Sequence, residues 1–212
     1  MTLKIDTELS AVNSILGVIG QAPVTTINAL NPETAMIKQI LDECILEVLN
    51  EGWHFNVELH YELTPNANDE ILISEDMLRV DIHNDHIYRS EDIVRRNGKL
   101  YDKVDHTYTF TDSIDADITW FFPFYPDPDS QITVTDYIPP VFRRYIIHKA
   151  STRAATQMVS NPTLVQIQQQ QEALSRAACM EYECNQSDAT FFGTPHNNSY
   201  RSYQPYHALL VR

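Results

Sequence analysis

Two histidines and two aspartates fall within six residues of the sequence, a grouping of side chains that can bind a metal ion. They are Asp81, His83, Asp85 and His86, and imidazole and carboxylate groups are common ligands of divalent cations. In an extended segment, however, His83 and His86 face opposite sides, because side chains alternate along a strand. We therefore interpret the segment as a polar turn between strands, with a metal site as the alternative. The sequence predicts no bound metal and no cofactor.

Carboxylates are concentrated in the middle of the chain, where a pair of them could serve a glycoside hydrolase. Residues 53–139 hold 18 acidic and 6 basic side chains, in a chain with a formal charge of −14. With so many carboxylates, some pair lies at a suitable separation by chance. The sequence contains no Ser-His-Asp order, no zinc-peptidase signature and too few glycines for a phosphate loop. We predict no catalytic residue and keep polysaccharide hydrolysis as the alternative.

The thiols form no recognisable site. Cys44, Cys179 and Cys184 are an odd number, and no pair of them forms a CxxC motif, so the sequence predicts neither a disulfide framework nor a zinc site. We expect buried or unreactive thiols. Met1–Asp6 lacks the regions of a secretory signal and no long apolar span is present, so we expect no membrane contact and a cytosol-like compartment.

A basic stripe follows Pro139-Pro140, within an otherwise acidic protein. Its side chains are spaced as on one helix, so they could contact acidic groups of another protein chain, nucleic acid or solvent. We favour contact with another protein chain, because the net charge of −14 disfavours binding to a polyanion. The stripe consists of Arg143, Arg144, Lys149 and Arg153.

The last residues, 186–212, differ in composition from the rest of the chain. They are poor in charge and rich in Asn, Ser, Tyr and Pro, so they cannot form a core of their own. Exposed aromatic side chains typically anchor interfaces. We therefore predict an extended C-terminal tail that docks on a partner through Phe191, Phe192, Tyr200, Tyr203 and Tyr206.

The hydrophobic period changes abruptly from helical to extended near residue 52. Apolar residues recur every three or four positions from Met36 to Leu49, which predicts a helix with one apolar face. From Trp53 to Leu63 apolar and polar residues alternate, which predicts a strand. A helical pattern returns only after Pro139-Pro140. This order indicates a β domain inserted into a helical one.

Local signals place the element ends. Asp6 or Thr7 is expected to cap the first helix, and Asn31-Pro32 and Asn161-Pro162 to begin two others. Asn97-Gly98 predicts a type I′ hairpin turn within Ile93–Asp102. The predicted fold is α+β: a four-helix bundle interrupted by an antiparallel β insertion domain, followed by the tail. The predicted bounds are 1–52 and 138–185 for the bundle, 53–137 for the insertion and 186–212 for the tail.

Four stretches, taken together, resemble the tail tubular protein A family, the head-to-tail adaptors of T7-like short-tailed bacteriophages. They occur in family order and are spread over most of the chain. None of them is a catalytic motif. The four stretches are Glu8–Val24, Gly52–Asn56, Phe142–Ser151 and Cys179–Tyr182.

The resemblance implies a structural virion protein that forms a ring of about twelve copies beneath the portal. It implies that helical domains pack side by side, that the sheet domain faces the nozzle protein, tail tubular protein B, and that DNA passes through the lumen without specific binding. The basic stripe would then pair between subunits. The tail would dock on the portal protein through its aromatic residues together with Leu209, Leu210 and Arg212.

Overall fold

In the computed structural model, residues 7–28, 30–82, 92–124, 137–159 and 161–186 are described. The chain divides into two compact units. The first comprises the described residues of Met1–Phe55 and Phe122–Asn185, and the second those of Asn56–Phe121. The domain bounds predicted from the sequence stay a prediction.

The first unit contains the helices. These are α1 (Glu8–Val18), α2 (Pro32–Asn50), α3 (Pro140–Ala154) and α4 (Pro162–Gln186), with a π-helical segment, Ala155–Val159, following α3. The predicted caps are confirmed: Thr7 accepts a hydrogen bond from the amide of Ser10, and Asn31 accepts one from that of Glu33. Asn161 caps α4 through the amide of Thr163. Each cap satisfies a backbone donor that has no partner within its helix.

Helices α1, α2 and α3 pack against one another around a shared core. Their buried apolar faces follow the helical period predicted from the sequence. The α4 helix differs, since Cys179 is its one buried residue among those described. The four-helix bundle is therefore not confirmed, whereas a mixed fold with four helices and antiparallel sheets is. The predicted tail spans 186–212; its first residue, Gln186, is the last residue of α4, and the rest lies outside the described residues. Residues that are buried and apolar in the three helices include Val12, Ile15, Leu16, Ile37, Leu41, Val48, Phe142 and Ile146.

The second unit contains the strands. The strands β1 (Val57–Leu63), β2 (Met77–Ile82) and β5 (Ile114–Trp120) form an antiparallel sheet in the order β1-β5-β2, while β3 (Ile93–Arg96) and β4 (Lys99–Asp102) form a hairpin. The core of the second unit includes Leu63, Ile71, Ile73, Met77, Ile93, Leu100, Phe110, Ile114 and Ile118.

The strand predicted from Trp53 to Leu63 is too long at its start. Strand β1 begins at Val57, and the pairing with β5 shifts between Glu58 and Tyr61, where His60 has a φ of 59°. This bulge interrupts the alternation, because an extra residue turns the side chains that follow it. Leu59, predicted on the apolar face, lies within this bulge beside His60 and is 58% exposed.

The predicted hairpin is confirmed, because Asn97 and Gly98 have φ angles of 52° and 70° between β3 and β4. We expect Gly98→Val to lower the free energy of unfolding by about 1–3 kcal/mol, since a β-branched residue resists positive φ. A Cβ at position 98 would meet no atom within 4 Å, so the cost is conformational. Gly17→Ala, in α1 and equally uncrowded, is the matched control and should stabilise by about 0.5–1 kcal/mol. Urea unfolding measures both, and no loss in Gly98→Val would contradict the turn assignment.

Candidate functional site

A ladder of ion pairs joins α2 to α3. Glu43 and Glu47 of α2 and Glu51, its C-cap residue, are spaced four residues apart and so lie on one side of the helix. Arg153 of α3 binds both carboxylate oxygens of Glu47, at 2.7 and 2.8 Å, and approaches Glu43 Oε2 at 3.4 Å. Lys149 Nζ lies 3.2 Å from Glu47 and 3.8 Å from Glu51. The ladder fixes how α3 lies along α2.

Arg176 extends this ladder to α4. Its Nη2 lies 3.0 Å from Glu51 Oε2, and its Nη1 donates to the hydroxyl of Tyr145 at 3.0 Å. Burial raises the pKa of Tyr145, so its hydroxyl stays neutral and can accept this bond. One carboxylate, Glu51, therefore holds cations from two helices. Sequence reasoning missed the role of Glu43, Glu47, Glu51 and Arg176, although the four-residue spacing of the acids on α2 was a usable signal.

The four residues of the predicted basic stripe have different surroundings. Lys149 and Arg153 find their carboxylates within the chain, on α2. Arg143 is 3% exposed and its guanidinium lies 5.7 Å from the ring centre of Tyr137. Arg144 is exposed, and it makes no ion pair with any described residue. Pairing between subunits stays a prediction for all four, and Arg144 is the one whose charge is still available.

An aromatic cluster lies where three of the family-like stretches meet. The ring centre of Phe142, a fully buried side chain, is 4.8 Å from that of Trp53, 4.7 Å from that of Phe55 and 5.8 Å from that of Tyr182. Beside the rings, the amide of His54 donates to Glu183 Oε1 at 2.7 Å. Trp53 and Phe55, predicted in a strand, instead pack here. The contacts of these rings therefore pack distant segments of the chain against one another.

The first family-like stretch is held by its own hydrogen bonds. The side chain of Asn13 in α1 donates to the carbonyl of Val24 at 2.9 Å and accepts from the amide of Val24 at 2.8 Å. Such a pair fixes the connector after α1, because it satisfies both backbone groups of one residue. Glu8–Val24 is therefore a helix tied to its following loop.

The thiols of the two buried cysteines, Cys44 and Cys179, are unsuited to catalysis. Burial raises the pKa of the Cys44 thiol to about 11 and that of the Cys179 thiol to about 12, and a thiol reacts mainly as thiolate. The prediction of buried, unreactive thiols is confirmed for these two. Cys184 is exposed.

Two predicted sites fall largely outside the described residues. Of the candidate metal ligands, Asp81 is described and contacts Arg79, whereas His83, Asp85 and His86 are not. Among described residues, no cluster of three potential ligands is present. The predicted docking residues of the tail, from Phe191 to Arg212, also lie outside them. Within the described chain, no helix is long and apolar enough to cross a membrane.

Acid is expected to weaken the ladder through Glu47. Burial alone would raise its pKa, but hydrogen bonds from Arg153 and Lys149 outweigh burial and hold the pKa of Glu47 below its ordinary value of 4.5. The resulting stabilisation is present above pH 4.5 and is lost as the pH falls through the lowered pKa. Because the Glu47 side chain is 44% exposed, solvent limits the effect to less than about 1 kcal/mol.

The measurement is urea unfolding above and below that pH. We expect a smaller loss of stability on acidification in Glu47→Gln than in the unaltered chain. Glu75→Gln is the matched control, since it removes an exposed charge from a turn of the second unit. Identical acid responses in both variants would show that the ladder contributes no stability of this kind.

The chain is similar in sequence to known proteins of phage tails. A model of the tail tubular protein family matches residues 9–189, which is most of the chain. Tail tubular protein A of Klebsiella phage KP34 is 29% identical over 123 residues, covering 58% of this chain and 63% of that relative. The chain thus aligns with less than two thirds of the relative's length. The chain belongs to the tail tubular protein family, whose members are structural components of phage tails.

Proposed function

We propose that this protein is the adaptor that joins the portal of a short-tailed phage to its tail nozzle. The observation that carries the proposal is the family match over residues 9–189. The packing of the aromatic cluster also supports the proposal. The family-like stretches that the structure describes meet in packing contacts of buried rings, Phe142 and Trp53 among them, as expected of a part whose work is mechanical.

In this proposal several copies, about twelve, close into a ring around the DNA channel. The helical unit forms the body of the ring, and the sheet unit faces the nozzle protein, tail tubular protein B. The C-terminal tail docks on the portal protein. The protein is assembled in the host cytoplasm and then remains in the virion. It needs no cofactor for this role, which is binding and not catalysis.

The acidity of the chain suits a channel along which DNA slides without sticking. Residues 53–139 hold 18 acidic and 6 basic side chains, and a surface of that sign repels phosphates at long range. Two of the stripe's cations, Lys149 and Arg153, are already paired with the carboxylates of Glu43, Glu47 and Glu51. DNA therefore passes through without specific contact.

We accordingly expect no binding of duplex DNA by the free protein at physiological salt. The basic groups of α3 are too few, and too well paired within the chain, to outweigh the net charge of −14. A gel shift at micromolar protein measures this. A shift that weakens steeply with added salt would contradict the prediction and identify a cationic DNA surface.

The alternative of polysaccharide hydrolysis is not proposed, since no observation on the described residues favours a catalytic carboxyl pair. Such a pair needs two acids flanking a cleft, one of them with a raised pKa. Glu47, a carboxyl with a lowered pKa, is bound by Arg153. Its environment is that of a structural ion pair.

The proposed function is tested with DNA-filled heads of the same phage that lack tails. Addition of the purified protein should place it at the portal vertex and keep the genome inside, as measured by resistance of the DNA to nuclease. Heat-denatured protein is the control. Heads that lose DNA equally fast in both samples, with no protein bound at the vertex, would contradict the proposed function.

A further inference from the structure

One side of α4 is apolar and is not covered by any described part of the chain. Ile167 and Leu174 are 49% and 65% exposed. They lie seven residues apart, and Ala178 and Glu181 follow after four and three more, so all four share one side of the helix. We call these four residues the outer face of α4. Gln170 and Gln171 lie between Ile167 and Leu174 on this side, so the strip is apolar at its two large side chains and polar between them. Exposed apolar side chains of this size indicate a contact surface.

The charges beside this strip indicate what covers it. Glu181 is exposed and makes no ion pair with a described residue. The same holds for Arg144 on α3, whereas Lys149 and Arg153 are paired with carboxylates of α2. On α4 an exposed anion therefore lies next to the apolar strip, and on α3 an exposed cation makes no ion pair with a described residue.

The positions of these two charges suit a repeated contact between copies. Helices α3 and α4 run antiparallel, because Tyr145 contacts Arg176 whereas Val141, earlier in α3, contacts Cys179, later in α4. Arg144 and Glu181 thus lie near the same end of the helix pair. A neighbour placed side by side brings the cation of one copy next to the anion of the other.

Next to Arg144 on α3 lies an apolar side chain that the apolar strip of a second copy can contact. Ile147, half-buried, lies three residues after Arg144 and so on the same side of α3. The two surfaces are different, so the contact is head-to-tail, and such contacts close into rings when the rotation permits.

We propose that the outer face of α4 packs against α3 of a second copy of this chain, with Glu181 bound to Arg144 of that copy. This inference rests on the proposed function, because it names the surface through which the subunits of the adaptor ring meet.

The apolar part is tested with Leu174→Asp. We expect self-association, measured by sedimentation velocity over a dilution series, to weaken at least about tenfold, because a carboxylate would be buried at the contact. Leu72→Asp, a substitution of similar exposure (62%) in the second unit, is the matched control and should leave association unchanged. Equal association of all three proteins, or a chain without substitutions that stays monomeric, would overturn the inference.

The charge pair is tested by reversal. Arg144→Glu and Glu181→Arg should each weaken association alone, because every contact then joins like charges. An equimolar mixture of the two variants should regain association, because each contact between the two different variants joins opposite charges. The double variant in one chain should regain association, because every contact again joins opposite charges. Failure of the double variant to recover would overturn the pairing.

A labelling experiment distinguishes whether a second copy or a segment of the same chain covers the outer face of α4. In a Cys184→Ser background, maleimide labelling of Leu174→Cys should slow as protein concentration rises. Slow labelling at every dilution would place a segment of the same chain on the face and overturn the inference. The protein could fail these association and labelling tests and still protect DNA in heads. The proposed function would then hold, but the subunits would meet through a different surface.

Discussion

Phe142→Ala is expected to lower the free energy of unfolding of the helical unit by about 3–5 kcal/mol. The ring of Phe142 is 0% exposed and contacts Trp53, Phe55 and Tyr182. Its loss leaves a cavity among three aromatic rings from two separate parts of the chain, Trp53 and Phe55 from one and Tyr182 from the other. The remaining rings cannot collapse into the space without moving α3 or α4, so the cost lies at the upper end for a core substitution.

Urea unfolding of the full chain measures this effect. Leu46→Ala, on the outer side of α2 and 44% exposed, is the matched control and should cost less than about 1 kcal/mol. Near-equal losses in the two variants would mean that the aromatic cluster does not hold the helical unit together.

Deletion of the residues after Asn185 is expected to abolish docking on the portal and to leave both units folded. The deleted residues are poor in aliphatic side chains, so little core is lost. Several interface residues, each worth about 1–3 kcal/mol, would be removed at once, which is enough to abolish a micromolar or nanomolar contact. They are Phe191, Phe192, Tyr200, Tyr203, Tyr206, Leu209, Leu210 and Arg212.

Portal pull-down measures the docking, and urea unfolding checks the fold of the shortened chain. Serine at the five aromatic positions, in a chain of full length, is the finer control and should lose most of the binding as well. If the shortened protein still bound portals and restored infectious particles, the helical unit itself would carry the attachment.

Short-range features of the fold were predictable because their causes are local. The start of α2 follows from Asn31-Pro32, whose side-chain cap and fixed φ act within one turn. The β3-β4 turn follows from Asn97-Gly98, which tolerate positive φ. In each case the residues that decide the conformation are the residues that adopt it.

Long-range features were not predictable for the corresponding reason. Alternation from Trp53 onward indicated extended chain, but it contained no information on which core each ring enters, and Trp53 packs on Phe142 from a segment far along the chain. The bulge at His60 depends on pairing with β5, which is also distant in sequence. Likewise, the spacing of Lys149 and Arg153 indicated that they share one side of a helix, but it did not indicate which carboxylates of α2 they contact.

The central claim is that copies of this chain form a ring on the portal, and electron microscopy of purified portal mixed with the purified protein tests it most directly. The account predicts a ring of added density, coaxial with the portal and built from repeated copies of the chain. Portals that remain bare at saturating protein, or that carry isolated copies in irregular positions, would contradict it.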